Sequence, residues 1–315
     1  MMKVAITGAN GFVGSYLSEV LQGNGFTVRS CVRSAKGAGK DGHDYCAVGD
    51  INAGTDWAAA LSEVDVVVHT AARVHVMCDT VADPLDAFRE VNVRGTLNLA
   101  RQAVKSGVKR FIFVSSIKVN GEFTLLNQPF RPDDKPQPVD PYGVSKYEAE
   151  CGLFEIARET GLEVVIVRPP LVYGPGVKGN FASMMKIIKK RLPLPLGAIK
   201  NNRRSMVSLG NLISVLEKCI THPRAVNQVF LVSDGEDLST ADLLHKLAGC
   251  MNESVCLINI PISILMGGAS LLGRRDMALR LLGNLQVDDR KTRELLDWKP
   301  IISVSEGLRR AAADI

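Results

Sequence analysis

The chain has 315 residues, 46% hydrophobic and 23% charged, enough to bury a large core and to form one large domain with a smaller one. Its formal charge of +5 is modest and the basic residues are scattered, with no arginine-rich arm and no basic run interleaved with aromatics, which argues against nucleic acid and suits a phosphorylated small molecule. The seven cysteines, Cys31, Cys46, Cys78, Cys151, Cys219, Cys250 and Cys256, are odd in number and lack Cys-x-x-Cys spacing, so they support neither a zinc site nor a disulfide frame and read as free thiols.

No basic, apolar and small signal pattern precedes Val4, which already reads as strand, so a cytoplasmic protein without a bound metal is expected. Lys3 to Thr7 is a short β-branched run, followed at once by Gly8-Ala-Asn10-Gly11-Phe12-Val13-Gly14 and a helical pattern through Leu17, Val20 and Leu21. Strand, glycine turn and helix are the context of a dinucleotide fingerprint. Gly8 permits the tight turn, Gly11 a close approach of pyrophosphate to backbone, and Gly14 close packing of helix on strand. Strand candidates then recur at Thr27 to Val32, Tyr45 to Val48, Val64 to His69, Arg110 to Ser115 and Glu163 to Val167. Between them lie helices at about Thr55 to Leu61, Pro84 to Ser106 and Pro141 to Thr160. This alternation predicts an α/β fold with a doubly wound parallel sheet, whose ligands bind beyond the carboxyl ends of the strands. Asp50-Ile51, His69-Thr-Ala71-Ala72 and Ser115-Ser116 fall at such ends. Further on, Asp140 is a good N-cap and Pro141 a good first helical residue, which puts Tyr142 and Lys146 one turn apart on a starting helix. A lysine there, with the positive end of the helix dipole, is expected to favour the phenolate.

In this order and spacing, Gly8-x-x-Gly11-x-x-Gly14, Asp50-Ile51, His69-Thr-Ala-Ala72, Asn92, Ser115-Ser116 and Tyr142-x-x-x-Lys146 resemble the extended short-chain dehydrogenase/reductase family, and within it the nucleotide-sugar epimerases, dehydratases and 4-keto-reductases. The resemblance, which runs from residue 3 to about 310, implies a Rossmann domain over 1–170, rejoined by about 205–235, and a smaller α/β substrate-binding part over 171–315. Carried over by position, Gly8, Asn10, Gly11, Phe12, Val13 and Gly14 would cradle the dinucleotide, Asp50 and Ile51 would hold adenine, and Ala71 and Ala72 would line the pyrophosphate and ribose. Asn92 would tie its helix to the active-site strand, and Ser115 and Pro169 would flank the cofactor. Ser116 and Tyr142 would hydrogen-bond the reacting sugar oxygen, with Tyr142 as acid and Lys146 holding both phenol and nicotinamide ribose. Asn120 stands where the family carries a tyrosine, and Leu171 where many members carry a substrate-contacting asparagine.

In the second half, Asn180 and Phe181 resemble residues that bracket the nucleotide, and Arg204 the arginine that grips its diphosphate, a fork suited to phosphate oxygens. Asn211 replaces a usual aspartate. One of Arg274, Arg275 and Arg280 is a candidate for the second phosphate, and Asp288, Lys291 and Trp298 match a packing motif. Ile260 to Leu272 is apolar but too short to span a bilayer, so it reads first as a buried helix and second as a membrane-surface contact. At the end of the second strand Val32 stands where an NAD site carries an acid, and Arg33 follows, which favours NADP(H) over NAD(H). The function placed first is reduction of a UDP-4-keto-(6-deoxy)hexose, or its N-acetylamino form, in surface-polysaccharide sugar synthesis. The alternative is a UDP-glucose or UDP-N-acetylglucosamine 4-epimerase. A non-catalytic dinucleotide sensor is third, disfavoured because serine, tyrosine and lysine are all present. The expected partner is a nucleotide-diphosphate sugar, with UDP the favoured nucleotide, and the resemblance points to a homodimer through the helices at 84–106 and 141–160.

Overall fold

A computed structural model describes residues 1–34, 44–74, 83–273 and 275–313. Strand β1 (Lys3–Thr7) leads into α1 (Phe12–Gly23), then β2 (Thr27–Val32), β3 (Asp44–Ala47), the short α2 (Ala58–Leu61) and β4 (Val66–His69). The helix expected across 84–106 is broken by geometry: α3 (Pro84–Arg89) passes into a π-helical stretch, Glu90–Gly95, before α4 (Thr96–Lys105). After β5 (Arg110–Val114) and a 3₁₀ turn at Ile117–Val119 comes α5 (Pro141–Thr160), then β6 (Glu163–Arg168) and β7 (Leu171–Tyr173). Both ends of α5 are set locally, since Asp140 accepts from the Gly143 amide at 2.7 Å and Gly161 closes the helix in the left-handed region. The remainder is α6 (Gly179–Lys189), β8 (Met206–Ser208), α7 (Leu209–Thr221), β9 (Gln228–Leu231), α8 (Thr240–Cys250), α9 (Ile262–Leu271), α10 (Arg275–Leu282), α11 (Arg290–Leu296) and α12 (Val304–Ala312).

Seven strands form one parallel sheet in the order β3-β2-β1-β4-β5-β6-β9, while β7 and β8 pair separately. The central strands are uninterrupted apolar runs because both faces are covered. Leu17 and Leu21 of α1 and Leu212, Ile213 and Leu216 of α7 pack on one face; Leu99 of α4 and Leu153 and Ile156 of α5 pack on the other. The chain leaves this sheet after β6 and returns for β9, and the intervening and later helices build a second core around Tyr173, Met185, Leu244 and Leu308. Trp298 closes the first core, its indole donating to Ser214 at 2.8 Å.

Helix α9 forms where the apolar run was noted, but the expectation that it is buried is wrong: none of its residues is buried. Its neighbour is the short α10, and neither the sheet nor the second core reaches it. Among the described residues no helix is long and apolar enough to cross a membrane.

Candidate active site

The carboxyl ends of β1, β2, β4 and β5 open into a cavity of about 980 Å³. Its floor is the first turn of the chain. Gly8 has φ +66°, a conformation L side chains rarely adopt, and its carbonyl accepts from the Gly11 amide at 2.8 Å. A Cβ on Gly14 would overlap the Gly8 carbonyl oxygen and lie 2.9 Å from Thr70 Oγ1, so glycine alone allows α1 to start this close to β1. The first turn of α1 has no side-chain cap and no acid, which leaves its amides facing the cavity. Bare glycine backbone beneath a helix N-terminus fits a dinucleotide pyrophosphate. Asn10, Phe12, Val13, Ile51, Ala71, Ala72 and Pro169 also line the cavity, as the family positions imply. Val32 is buried, and Arg33 meets Asp50 at 2.9 Å with both side chains exposed. The two residues expected at different parts of the cofactor are therefore paired with each other.

Ser116, Tyr142 and Lys146 converge at the other end of the cavity. Ser116 caps the 3₁₀ turn and shares the cavity wall with Tyr142, whose ring packs edge-on to Phe88 at 6.1 Å. The Lys146 ammonium sits 4.0 Å above the centre of the Phe113 ring. Burial pushes the Tyr142 phenol up to about 12, reinforced by the charge of Asp140 and only partly offset by Ser116. Burial also lowers Lys146 to about 7, against the pull of Glu150. The expectation that lysine and helix dipole favour the phenolate is thus overturned for the protein alone, because desolvation outweighs them and weakens the lysine's own charge. His69, at the end of β4, is lowered to about 3 by burial and then by Lys146; it stays neutral and bridges the hydroxyls of Thr7 and Thr96 at 2.6 and 2.9 Å.

Beneath the site lies a cluster that the sequence did not reveal. Arg168, at the end of β6, pairs with Glu150 of α5 at 2.6 Å, with both side chains almost wholly buried. Ser115 donates to the same carboxylate at 2.5 Å and also borders the cavity. Asn120 accepts from Arg168 at 3.0 Å and donates to the Arg131 carbonyl at 2.9 Å, which explains an amide at this position. One signal was available, since Tyr142, Lys146 and Glu150 recur every four residues on one helical stripe.

Other expected residues lie elsewhere. Asn92 is buried in the π-helical stretch and spends its amide on the Arg73 backbone and Ser145 of α5, so it braces the loop after β4 and does not line the cavity. Phe181 is 2% exposed and stacks on Tyr173 at 5.5 Å, because the second core claims it. The Asn180 side chain, like Arg274 and Cys78, falls outside the described residues. Arg204 gives one guanidinium nitrogen to the carbonyls of Arg280 and Gly283, at 2.6 and 3.3 Å, and so ties down the end of α10 away from the cavity wall. Asn211 bonds the buried Asp234 at 2.7 Å and the backbone at 301 and 302, contacts that need an amide's donor and acceptor together.

A doubly wound sheet, a glycine cradle and a Ser-Tyr-Lys constellation define a dinucleotide-dependent oxidoreductase of the short-chain type. The model of the NAD dependent epimerase/dehydratase family matches residues 4–233. The chain belongs to that family and is an NAD(P)-dependent enzyme. It is 49% identical to a UDP-glucose 4-epimerase of Vibrio cholerae over 98% of this chain and 94% of that one. It is 29% identical to an N-acetyl-α-D-glucosaminyl-diphospho-ditrans,octacis-undecaprenol 4-epimerase of Escherichia coli O157:H7, over 84% of this chain and 78% of the relative. Its fold matches a crystal structure of the Thermotoga maritima UDP-glucose 4-epimerase with UDP-glucose at a TM-score of 0.80 and 24% identity, covering 99% and 98% of the two chains.

Proposed function

We propose that the chain is a 4-epimerase of a UDP-hexose. The observation that carries this reading is the near end-to-end similarity to the Vibrio cholerae enzyme, and it moves the 4-epimerase ahead of the 4-keto-reductase placed first on the sequence. The cofactor, held over Gly8, Gly11 and Gly14, would supply the acceptor and donor of a hydride at carbon 4. The protein's own part is to hold the sugar and to move its proton. Ser116 and Tyr142 stand together and would hydrogen-bond the oxygen on carbon 4. Tyr142 gives its proton when a 4-keto oxygen is reduced to the alcohol and takes one when the alcohol is oxidised. Lys146 lies one turn behind it on the same cavity wall, its ammonium over the Phe113 ring, where it would meet the cofactor's ribose. Inversion requires the sugar to present its other face between the two halves, so one set of residues serves both.

A reductase is the second reading, favoured by Val32 in place of the cofactor-binding acid with Arg33 after it. The experiment is chromatography of UDP-glucose, UDP-galactose and their N-acetylamino counterparts after incubation with catalytic dinucleotide. Interconversion of a pair supports the epimerase. No interconversion, with stoichiometric loss of NADPH on a UDP-4-keto sugar, replaces it by the reductase.

A further inference from the structure

Glu150 lies one turn beyond Lys146 and two beyond Tyr142 on α5, so whatever fixes Glu150 fixes the rotation of the helix that carries them. Its carboxylate is gripped from β6 by the Arg168 fork, Nε at 3.0 Å and Nη2 at 2.6 Å, and the two side chains are only 2% and 4% exposed. The same carboxylate accepts from the hydroxyl of Ser115, the residue before Ser116. The remaining Arg168 nitrogen, Nη1, donates to Asn120 at the far end of the 3₁₀ turn at 3.0 Å. The turn that Ser116 caps is thus held at both ends, by Ser115 on Glu150 and by Asn120 on Arg168. Backbone bonds tie it to the same strand, with the Ser115 amide on the Val167 carbonyl at 2.7 Å and the Ile117 amide on the Pro169 carbonyl at 3.0 Å.

Stability is a weak reason for such a cluster, because two charges withdrawn from water regain in attraction about what they lose in solvation, and apolar side chains of like size would fill the space as well. Position is a stronger one. Ser116 has extended backbone, φ −156° and ψ 149°, and along extended chain successive side chains leave on opposite sides. Tethering Ser115 to Glu150 on one side therefore sets how Ser116 leaves on the other. The oxygen that reacts has to lie within hydrogen-bond reach of Ser116 and Tyr142 together, yet the two stand on different elements. At the Glu150 carboxylate those two elements and β6 are bonded to one another. We propose that Glu150, clamped by Arg168, is a positioning residue for the reaction: through Ser115 it holds the turn bearing Ser116 in register with the helix bearing Tyr142 and Lys146. Neither Glu150 nor Arg168 lines the cavity, so both act through other residues. The inference rests on the proposed function only in taking Ser116 and Tyr142 to meet the sugar oxygen, which holds for a 4-epimerase and a 4-keto-reductase alike.

The test measures kcat and KM of the full chain loaded with dinucleotide, in whichever reaction wild type performs, epimerisation of a UDP-hexose or reduction of a UDP-4-keto sugar. Rates are counted per cofactor-bound molecule, so that unfolded protein does not register. Ser115→Ala cuts the tether and leaves the Glu150–Arg168 pair standing. It is expected to lower kcat at least ~tenfold with KM within ~threefold and cofactor affinity unchanged, since misplacing a reacting group by about 1 Å costs up to ~10²-fold. Glu150→Leu/Arg168→Met keeps the core filled and leaves no charge unpaired, and it should lose at least as much kcat. Adding Ser115→Ala to that pair should cost little more, because both changes break the same link. Full kcat in Ser115→Ala or in the apolar pair overturns the proposal, the latter by showing that the cluster only packs. So does a fall in kcat matched by an equal loss of cofactor affinity, which would give Ser115 to the cofactor, and so do losses that multiply when the changes are combined. Should the apolar pair fail to bind cofactor, Ser115→Ala decides alone. A wild type that reduces and does not epimerise sinks the 4-epimerase and leaves this proposal to the same measurements, whereas one that does neither overturns both.

Discussion

Replacing Lys146 with methionine should stabilise the protein while disabling it, and the size of the effect should depend on pH in a defined way. The ammonium is 1% exposed and its proton affinity falls from 10.5 to about 7 on folding. At pH 6 to 7 the folded protein holds a charge that the unfolded chain holds more comfortably, a cost of about 4–5 kcal/mol at 1.36 kcal/mol per unit. A depressed lysine binds fewer protons folded than unfolded between pH 7 and 10.5, so stability rises with pH across that window and the cost is gone above it. Methionine fills nearly the same volume without a charge, and the lost contact with the Phe113 ring removes about 0.5–2 kcal/mol of the gain. The variant should therefore be more stable by roughly 2–4 kcal/mol at pH 7, and the advantage should shrink by about 1.4 kcal/mol per unit toward pH 9. Urea unfolding of both proteins without cofactor at pH 6, 7, 8 and 9 measures this directly. A difference that stays flat from pH 7 to 9, or a variant less stable at pH 7, would refute the claim that a strained ammonium is held at the site.

Tyr142→Phe should cost ~10²–10⁴-fold in turnover and leave dinucleotide affinity almost unchanged, since the ring keeps its place against Phe88; steady-state kinetics beside fluorescence titration of the cofactor separate the two, and a loss below tenfold retires Tyr142 as the acid. Gly14→Ala should weaken dinucleotide binding by at least ~tenfold, because the new Cβ forces the Gly8 carbonyl and α1 apart. Glu150→Gln should cost about 3–5 kcal/mol in chemical denaturation, the penalty of leaving Arg168 charged and unpaired in the core. Asp50→Asn should shift dinucleotide choice toward NADPH and Arg33→Ala toward NADH, each read by titration of both cofactors.

The fold was largely legible because its strands are short runs of Val, Ile and Phe covered on both faces, and because Asp140, Pro141 and Gly161 mark the ends of α5 through local chemistry. The cradle was legible for the same local reason. What escaped depended on residues far apart in sequence meeting in space: Arg168 on Glu150 across 18 positions, and Asn211 on Asp234 across 23. Phe181 and Arg204 have side chains suited to a nucleotide, yet the second core and the carbonyls at the end of α10 claim them, a competition that spacing does not record. The π-helical stretch was hidden too, since Glu90 to Gly95 has ordinary helical composition and its widened turn shows only where Asn92 reaches Arg73 and Ser145.

The Arg33–Asp50 pair bears on cofactor choice, and it turns a sequence argument for NADP(H) into a balanced one. Arginine without an acid at position 32 would greet a 2′-phosphate with a charge-assisted bond. In the structure, however, Asp50 stands 2.9 Å from that guanidinium, so a phosphate arriving at Arg33 also meets a carboxylate. Both side chains are about four-fifths exposed, at 80% and 77%, and such a pair is worth ~0.2–1 kcal/mol. Attraction to Arg33 and repulsion from Asp50 are then of similar size, and the wild type should separate NADPH from NADH by no more than about fivefold. Removing the acid frees the arginine for the phosphate; removing the arginine leaves the acid opposing it, so the two variants should move the ratio in opposite directions. An epimerase that recovers its cofactor each cycle tolerates such indifference, whereas a reductase that consumes NADPH gains from discrimination. A wild type that prefers NADPH by far more than tenfold, with Asp50→Asn changing nothing, would show that Arg33 acts unopposed and would return the 4-keto-reductase to first place.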